Sequence, residues 1–366
     1  MRILLIGEYS NVHWTLAEGL RTLGHEVTVL SNGDFWKNYP RDIDLCRVPT
    51  RMGGIRYLLR LYSLLPRLKG YDVVQIINPM FLEVRAERIG AIYRYLRRHN
   101  GSVFLCAYGM DYYWIKSCVE ARPLRYSDFN IGDTLRTNAD ALKERNDWVG
   151  TEKEKLNRFI AEDCDGIIAG LYEYFVSYHP CFPQKTTFIP YPIQMPVADP
   201  VIKDHYDSCN VFIGINKSRN EYKGTDIMLK AAQAVQQRYP PKMTLTVAES
   251  VPFQEYQHRM DGSDVILDQL YSYTPSMNSL LAMSKGIIVI GGGEPENYEI
   301  LHESELRPII NVEPTYESVY HALEELVLHL DRIPQLKRQS VEYIRRHHEY
   351  KKVARQYEAF YIDRKS

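Results

Sequence analysis

The sequence predicts an α/β protein built from two Rossmann-like doubly wound domains that face a cleft. Short apolar runs of strand length alternate with longer helical segments, which is typical of a parallel sheet with helices on both faces. The alternation stops in a proline-rich segment at 186–204 and then begins again. A chain of 366 residues is also too long for one ordinary hydrophobic core.

The first series of strands predicts a domain at 1–195. The segment after its first strand carries apolar residues at helical spacing, and Gly24 ends that helix. The second series predicts a domain at 196–344, and the C-terminal helix at 345–366 is expected to pack back onto the first domain. The predicted strands are 1–7, 27–31, 72–77, 102–108 and 165–170, followed by 210–215, 243–249, 264–270, 286–292 and 307–312.

Composition excludes several classes of protein. The net charge of −1 and the pI near 6.8 argue against a nucleic-acid-binding protein. The sequence contains no apolar run of the roughly 18 residues that a membrane-spanning helix needs. Six scattered cysteines suit a reducing, cytoplasmic location, and the absence of metal-binding spacings predicts no metal and no cofactor.

A basic loop follows the first strand of the second domain. Lys217, Arg219 and Lys223 lie within seven residues, and Gly224 then precedes a helix that begins near Thr225. Cationic side chains beside a helix N-terminus suit the oxygens of a phosphate group. The alternative is an ordinary solvated loop. Because ligands of open parallel sheets bind outside the carboxyl ends of the strands, we favour phosphate binding.

Two neighbouring segments complete the predicted ligand site. Free amides at Ser276, Met277 and Asn278 begin a short helix and could hold an anion, although this could equally be a capped core helix. The next strand ends in three glycines, which we expect to admit a ligand close to the backbone. Glu294 and Glu296 follow and could accept hydrogen bonds from sugar hydroxyls, unless they are merely solvated acids.

These motifs resemble those of retaining GT-B glycosyltransferases of family four. The resemblance lies in Arg219 with Lys223-Gly224, in LAMSKGIIVIGGGEPE at 281–296, in LRTLGHEVTVLS at 20–31 and in AYGMDYYW at 107–114, and it covers nearly the whole chain. It implies a GT-B fold and transfer of a sugar from a nucleotide-diphospho-sugar to a saccharide or lipid-linked acceptor, in surface polysaccharide or glycan synthesis. Retention of configuration is implied by the resemblance alone.

The sequence also departs from that family. Two glutamates that in the family engage the donor sugar and the ribose correspond here to Tyr273 and Leu281. Tyr108 and Gln75 stand where the family has histidines. A catalytically degenerate sugar-nucleotide-binding protein therefore remains an alternative. An epimerase of similar fold is a second one, although it would need convergent histidines, and only His13 lies near a strand end.

The predicted site residues fall into three groups. Arg219 and Lys223 would neutralise the leaving diphosphate, which requires no metal. Asp111 could orient an acceptor hydroxyl or cap a helix, and Ser10 and Asn11 are likewise potential helix caps. The predicted catalytic residues are Arg219, Lys223, Glu294 and Asp111, the donor-binding residues are Lys217, Gly224, Ser276, Met277, Asn278, Gly292, Gly293, Glu296 and Asp268, and the acceptor-side residues are Ser10, Asn11, Tyr108 and Gly109.

One basic segment suggests a further partner. RYLLRLYSLLPRLKG at 56–70 mixes leucines with Arg56, Arg60, Arg67 and Lys69. Basic amphipathic helices can lie on anionic membranes, which would suit a lipid-linked acceptor and a location at the inner face of the membrane. The leucines could instead be buried in the helix's own domain, so we predict weak peripheral contact at most.

Overall fold

The chain divides into two compact units of α/β structure. The computed structural model describes residues 1–216 and 220–364. Unit 1 comprises Met1–Ala121, Glu144–Pro192 and Tyr350–Ser366, and unit 2 comprises Arg122–Lys143 and Ile193–Glu349. The chain thus passes between the units at four places within its described parts. The segment Arg122–Lys143, which we call the strap, lies within the predicted first domain by sequence but belongs to unit 2.

Unit 1 is organised around a parallel sheet whose central strands are buried on both faces. Its strand order is β3-β2-β1-β4-β5-β8-β9, so that the direction of winding changes between β1 and β4. Ile3 of β1 pairs with Val27 of β2 on one side and with Val73 of β4 on the other. Elements up to the strap are β1 (Arg2–Ile6), α1 (Val12–Thr22), β2 (Glu26–Ser31), β3 (Ile43–Asp44), α2 (Arg51–Leu64), β4 (Val73–Ile76), α3 (Ala86–His99), β5 (Ser102–Ala107) and α4 (Tyr112–Lys116).

The C-terminal helix completes unit 1 by packing on α1. Gly19 allows the close approach, since a Cβ atom there would lie 2.7 Å from the carbonyl oxygen of Tyr350 and 2.8 Å from the Cβ of Ala354. From the strap to β9 the elements are β6 (Asn130–Ile131), β7 (Thr134–Leu135), α5 (Ala139–Trp148), α6 (Glu152–Asp163), β8 (Gly166–Ala169), α7 (Tyr172–Tyr178) and β9 (Thr186–Phe188). The C-terminal helix is α15 (Tyr350–Asp363).

Unit 2 contains a second parallel sheet with strand order β11-β10-β12-β13-β14. Its core is aliphatic, and the change in winding direction falls between β10 and β12, whose carboxyl ends are expected to border a ligand site. The elements are β10 (Cys209–Ile215), α8 (Asn220–Lys223), α9 (Thr225–Arg238), β11 (Met243–Glu249), α10 (Phe253–Met260), β12 (Val265–Asp268), α11 (Met277–Ser284), β13 (Ile288–Gly291), α12 (Pro295–Ile300), β14 (Ile310–Asn311), α13 (Tyr316–Leu328) and α14 (Ile333–His347).

The predicted fold class of two Rossmann-like doubly wound domains is confirmed, and each of the ten predicted strands is present. Three features differ from the sequence-based expectation. Strand β9 lies inside the segment predicted to be a linker, where it extends the edge of the sheet beside β8. Strand β3 has only two residues and β6 and β7 form a small antiparallel hairpin, so none of them carries a clear periodic pattern.

Candidate functional site

The carboxyl edge of the unit 2 sheet brings several predicted donor-binding residues together. The loop that follows β12 contacts the chain on both sides, because the amide of Leu270 donates to the carbonyl oxygen of Lys223 at 3.0 Å. On the other side the amide of Glu294 donates to the carbonyl oxygen of Tyr273, also at 3.0 Å. This loop therefore joins the start of α9 to the glycine-rich turn after β13.

Gly224 is required by this packing. It adopts a left-handed conformation with φ 72° at the N-cap of α9, and a Cβ atom there would lie 2.7 Å from the Cβ of Leu270. Lys223 immediately precedes it at the end of α8. The helix N-terminus and the lysine thus provide positive potential at the edge of the sheet. The other two predicted phosphate ligands, Lys217 and Arg219, lie outside the described residues.

The N-terminus of α11 is held by Asp268 at the end of β12. The Asp268 carboxylate accepts hydrogen bonds from Ser276 at 3.2 Å and from Ser279 at 2.5 Å. Ser276 is the N-cap residue, yet its hydroxyl donates to Asp268 and accepts from the side-chain amide of Gln269 rather than from the helix amides. Asn278 donates to the Tyr256 hydroxyl at 2.8 Å. Asp268 therefore positions the helix end that includes Ser276, Met277 and Asn278.

The three glycines at the end of β13 and just after it are closely packed by other parts of the protein itself. A Cβ atom on Gly291 would lie 2.2 Å from the carbonyl oxygen of Asp268, and one on Gly292 would lie 2.3 Å from that of Ser272. At Gly293 the nearest atoms belong to Ile309, at 2.7 Å. The expectation that the bare backbone serves only to admit a ligand is thus corrected, since internal packing already demands glycine there. Donor binding by Gly292 and Gly293 stays a prediction.

This packing predicts opposite effects for two glycine-to-alanine substitutions. Gly292→Ala is expected to lower the free energy of unfolding by about 2 kcal/mol, because the new methyl group overlaps backbone that cannot easily move. Gly90→Ala in α3 is the matched control, since its Cβ would make an ordinary 3.7 Å contact with Leu156. It should raise the free energy of unfolding by about 0.5 kcal/mol or more. Urea unfolding measures both values, and a stabilising Gly292→Ala would contradict the packing argument.

The strap supplies side chains that the sequence analysis missed. Arg125 donates to Glu294 and to Glu296, both at 2.7 Å, and its guanidinium lies 4.9 Å from the centre of the Tyr273 ring. The Tyr126 hydroxyl donates to the other oxygen of Glu294. The side chain of Glu294 is only 7% exposed, whereas that of Arg125 is 57% exposed. Both predicted sugar-binding carboxylates are therefore ion-paired within unit 2.

These contacts shift the pKa values of the strap residues and of Tyr273. The hydrogen bond to Glu296, assisted by Glu294, raises the pKa of Arg125 above its already high value. Burial, followed by the contact with Glu294, raises the pKa of Tyr126. Burial also raises the pKa of Tyr273 to about 12. The site therefore contains a permanent cation and neutral phenols at physiological pH.

A second strap arginine holds the backbone beside Lys223. Arg136 donates to the carbonyl oxygens of Glu221 at 2.9 Å and of Tyr222 at 3.2 Å. Its guanidinium also lies 3.6 Å from the centre of the Tyr271 ring. The strap thus holds the candidate donor site on two sides, through Arg125 at the turn after β13 and through Arg136 at the backbone before Lys223. No local sequence signal reveals this, because about 85 residues or more separate these partners along the chain.

Unit 1 contains a separate cleft at its own change in winding direction. The cleft is lined by residues that follow β1, β2 and β4, and by Tyr57 of α2. Glu8 is buried at the base of α1, and its carboxylate accepts from the amides of His13 at 3.1 Å and Trp14 at 2.9 Å. Burial nevertheless raises the pKa of Glu8 to about 8. Glu8 follows β1 almost directly, and this position in the sequence could have identified it as a candidate site residue.

The predicted acceptor-side residues have structural partners in unit 1. Glu8, rather than Ser10 or Asn11, caps α1, and Ser10 accepts a hydrogen bond from Lys37 at 3.1 Å. Tyr108 is buried, with its hydroxyl against that of Tyr357. Gly109 has φ 139° and packs against the ring of Tyr9. Contact of Ser10, Asn11, Tyr108 and Gly109 with an acceptor stays a prediction.

Asp111 and His13 both lie in the interior of unit 1. Asp111 caps α4 by accepting from the amide of Trp114 at 2.9 Å, and Tyr178 donates to its other oxygen. Burial raises the pKa of Asp111 to about 7. This geometry fits the second of the two roles predicted for Asp111, that of a helix cap. His13 lies between the Gly7 carbonyl and the Gln75 amide, and burial lowers its pKa to about 3.

Two classes of site receive no support within the described residues. Across 1–216 and 220–364, no group of three or more histidine, cysteine or acidic side chains could hold a metal ion. In the same ranges, no helix is both long and apolar enough to cross a membrane.

The fold can be compared with known proteins. No protein-family model and no curated protein sequence matches the chain. Solved structures do match: sucrose-phosphate synthase from Thermosynechococcus elongatus is 15% identical, with a TM-score of 0.63 over 99% of this chain and 98% of that one. The catalytic domain of starch synthase IV from Arabidopsis thaliana, bound to ADP and acarbose, is 12% identical with a TM-score of 0.63, covering 100% and 99%. HepE from Anabaena, in complex with UDP and glucose, is 9% identical with a TM-score of 0.62 and 98% coverage of both chains.

These similarities define the class of fold. The matching structures are GT-B glycosyltransferases, and the match extends over nearly the full length of each chain. The chain therefore has the GT-B fold, as the sequence motifs implied. The identities of 9 to 15% are those of a divergent sequence on a shared fold.

Proposed function

We propose that the protein is a glycosyltransferase that transfers a sugar from a nucleotide-diphospho-sugar to a saccharide or lipid-linked acceptor, in surface polysaccharide or glycan synthesis. The observation that carries this proposal is the convergence of two helix N-termini, those of α9 and α11, with Lys223 at the carboxyl edge of the unit 2 sheet. Helix N-termini and lysine are groups that bind phosphate. HepE and starch synthase IV, which share the fold, were solved with UDP and with ADP.

In this proposal the donor diphosphate binds beside Lys223 and Gly224. The lysine and the two helix ends stabilise the negative charge that develops on the diphosphate as the bond to the sugar breaks. Lys217 and Arg219, which resemble the family's cations, are assigned to the same task from the sequence alone. Asp268 keeps α11 in place, and no metal or cofactor is needed because these groups already carry positive charge.

The donor sugar meets a different environment from that of the family. Tyr273 occupies the position of the first family glutamate, and Arg125 packs on its ring. Sugar hydroxyls would therefore meet a guanidinium and the outer edges of Glu294 and Glu296. This arrangement also favours a second candidate, a degenerate sugar-nucleotide-binding protein, because the carboxylates are already paired. An assay for sugar transfer and donor hydrolysis separates the two candidates.

The donor site can be tested with a panel of UDP, GDP, ADP and their common sugar derivatives. A ligand at 100 times its dissociation constant should stabilise the protein by about 2.7 kcal/mol, which a thermal-shift measurement detects. Lys223→Ala should weaken this shift, because it removes one cation from the diphosphate. Lys230→Ala is the matched control, since Lys230 is an exposed lysine further along α9.

The proposed site would be supported by a nucleotide that raises the unfolding temperature of the wild type and of Lys230→Ala but raises that of Lys223→Ala less. The identity of that nucleotide would also give the donor class. Absence of any shift across the whole panel would remove the basis for the glycosyltransferase proposal. If a nucleotide raises the unfolding temperature of Lys223→Ala as much as that of the wild type, it binds away from Lys223.

A further inference from the structure

Helix α8, which ends at Lys223, is held in place by residues outside it. It is a single turn of four residues, and so short a helix has little stability of its own. The carbonyl oxygens of Glu221 and Tyr222 accept hydrogen bonds from Arg136 at 2.9 and 3.2 Å. The carbonyl oxygen of Lys223 accepts from the amide of Leu270 at 3.0 Å. The position of Lys223 therefore depends on these two partners.

The guanidinium of Arg136 also contacts the loop that follows β12. It lies 3.6 Å from the centre of the Tyr271 ring. An atom of the same ring lies 2.9 Å from the place that a Cβ atom on Gly224 would take. Arg136 therefore connects the turn of α8 to the side chain against which the start of α9 packs.

Arg136 is a buried cation that the protein itself does not neutralise by an ion pair. The residue is only 9% exposed. Across 1–216 and 220–364 it forms no ion pair with a carboxylate. Its hydrogen bonds go to the carbonyl oxygens of Ser127, Asp128, Glu221 and Tyr222. The acidic side chains that act on Tyr271 beside it, those of Glu221 and Asp226, are both exposed to solvent. A buried charge without a counter-charge costs free energy, and a bound anion lowers that cost.

We propose that Arg136 makes the candidate donor site selective for a diphosphate. It fixes the turn that places Lys223, and the negative charge of the bound diphosphate offsets its buried guanidinium. Arginine suits this task because its planar fork binds carbonyl oxygens while it stacks on a ring, and because it stays protonated. Arg136 is thus a positioning residue, which acts through α8. The inference rests on the proposed function, because it assumes a site that binds a nucleoside diphosphate.

The test compares nucleoside diphosphates with their nucleosides on the full chain. The probes are UDP, GDP and ADP, titrated by calorimetry, and uridine, guanosine and adenosine, titrated by ligand-observed NMR. Arg136→Gln should weaken binding of the diphosphate by about tenfold and change binding of the nucleoside by less than about twofold. Arg136→Lys keeps the charge and should remain within about threefold of the wild type. Arg122→Gln is the matched control, since this strap arginine donates to the Asp133 carbonyl instead.

The proposal is supported if Arg136→Gln loses affinity for the diphosphate alone, while Arg136→Lys and Arg122→Gln stay close to the wild type. It is overturned if Arg136→Gln binds the diphosphate as tightly as the wild type does. It is also overturned if Arg136→Gln loses affinity for the diphosphate and the nucleoside equally, because that indicates a general disruption of unit 2. A wild type that binds none of the three diphosphates would instead refute the proposed function, and this inference with it.

A second pair of variants keeps the test decisive if Arg136→Gln does not fold. Tyr271→Glu places a carboxylate beside the Arg136 guanidinium, whereas Tyr271→Gln places a neutral group of similar size there. Because the carboxylate competes with the ligand for the cation, Tyr271→Glu should bind the diphosphate about tenfold more weakly than Tyr271→Gln. The two variants should bind the nucleoside equally, and Tyr271→Glu should unfold at a temperature at least as high. Equal affinities of the two variants for the diphosphate would overturn the proposal.

Discussion

Arg125→Ala is expected to lower the free energy of unfolding of the protein by about 2 kcal/mol. Removal of one partner of a buried ion pair costs about 3 to 5 kcal/mol, and we discount this because the arginine itself is largely exposed. The substitution leaves the buried Glu294 carboxylate with Tyr126 as its remaining partner among those described here, and it removes the cation from the Tyr273 ring. Urea unfolding monitored by tyrosine and tryptophan fluorescence measures the change.

Arg122→Ala is the matched control for this prediction. Arg122 lies in the same strap and donates to the carbonyl oxygen of Asp133 at 2.9 Å, and the Asp133 side chain is fully exposed. We expect it to cost no more than about 1 kcal/mol. Glu294→Gln should lessen the effect of Arg125→Ala, because it removes the charge that the arginine neutralises. The role assigned to the strap would be contradicted if Arg125→Ala and Arg122→Ala lowered the free energy of unfolding equally. It would also be contradicted if the effects of Arg125→Ala and Glu294→Gln on that free energy were strictly additive.

The second prediction concerns Glu303, which follows α12 and is 1% exposed. Its carboxylate accepts from the amides of Glu305 and Leu306 and lies 2.6 Å from the Nε2 atom of His347 and 3.1 Å from a nitrogen of Arg346. Although burial opposes ionisation, these partners, with His347 the largest contributor, lower the pKa of Glu303 to about 2. The ionised carboxylate therefore connects α14 to the loop after α12.

The resulting stability depends on pH in a defined direction. Because the pKa of Glu303 is near 2 in the folded protein and 4.5 in the unfolded chain, the folded state binds fewer protons between these values. Its contribution of about 3 kcal/mol is complete above pH 5 and is lost as the pH falls toward 2. Glu303→Gln should consequently lower stability at neutral pH and flatten its acid dependence.

Measurements of unfolding free energy from pH 7 to pH 3 test this expectation. Glu305→Gln is the matched control, since Glu305 contacts the same Arg346 at 2.9 Å but is largely exposed. Its pH profile should follow that of the wild type to within about 1 kcal/mol. Parallel profiles for Glu303→Gln and the wild type would show that the carboxylate contributes nothing to the acid dependence.

Sequence reasoning recovered the fold because the strands carry strong local signals. Most predicted strands are short apolar runs that are largely buried, and the direction of the connections follows from the alternation of strands and helices. The short strands β3 and β9 were missed because two or three residues give no measurable periodicity.

The candidate site was recovered only in part, for a physical reason. Lys223, Gly224 and Ser276 lie in segments that follow predicted strands, which is where ligand sites of open parallel sheets are expected. Arg125 acts at Glu294, from which it is separated by 169 residues, and no local pattern encodes such a contact. Glu8 was overlooked although it lies directly after β1, because a carboxylate that caps a helix from five residues away resembles a loop acid in the sequence.

The discontinuous course of unit 2 along the chain also constrains how this protein could have diversified. A genetic exchange that replaced only residues 193–349 would bring in a new turn after β13 but keep the old strap, because Arg125 is encoded upstream in Arg122–Lys143. A new turn without acidic residues would then leave the Arg125 guanidinium without the carboxylates of Glu294 and Glu296. Inheritance of a new candidate donor site therefore requires both gene segments to travel together, or the strap and the acidic turn to change in step.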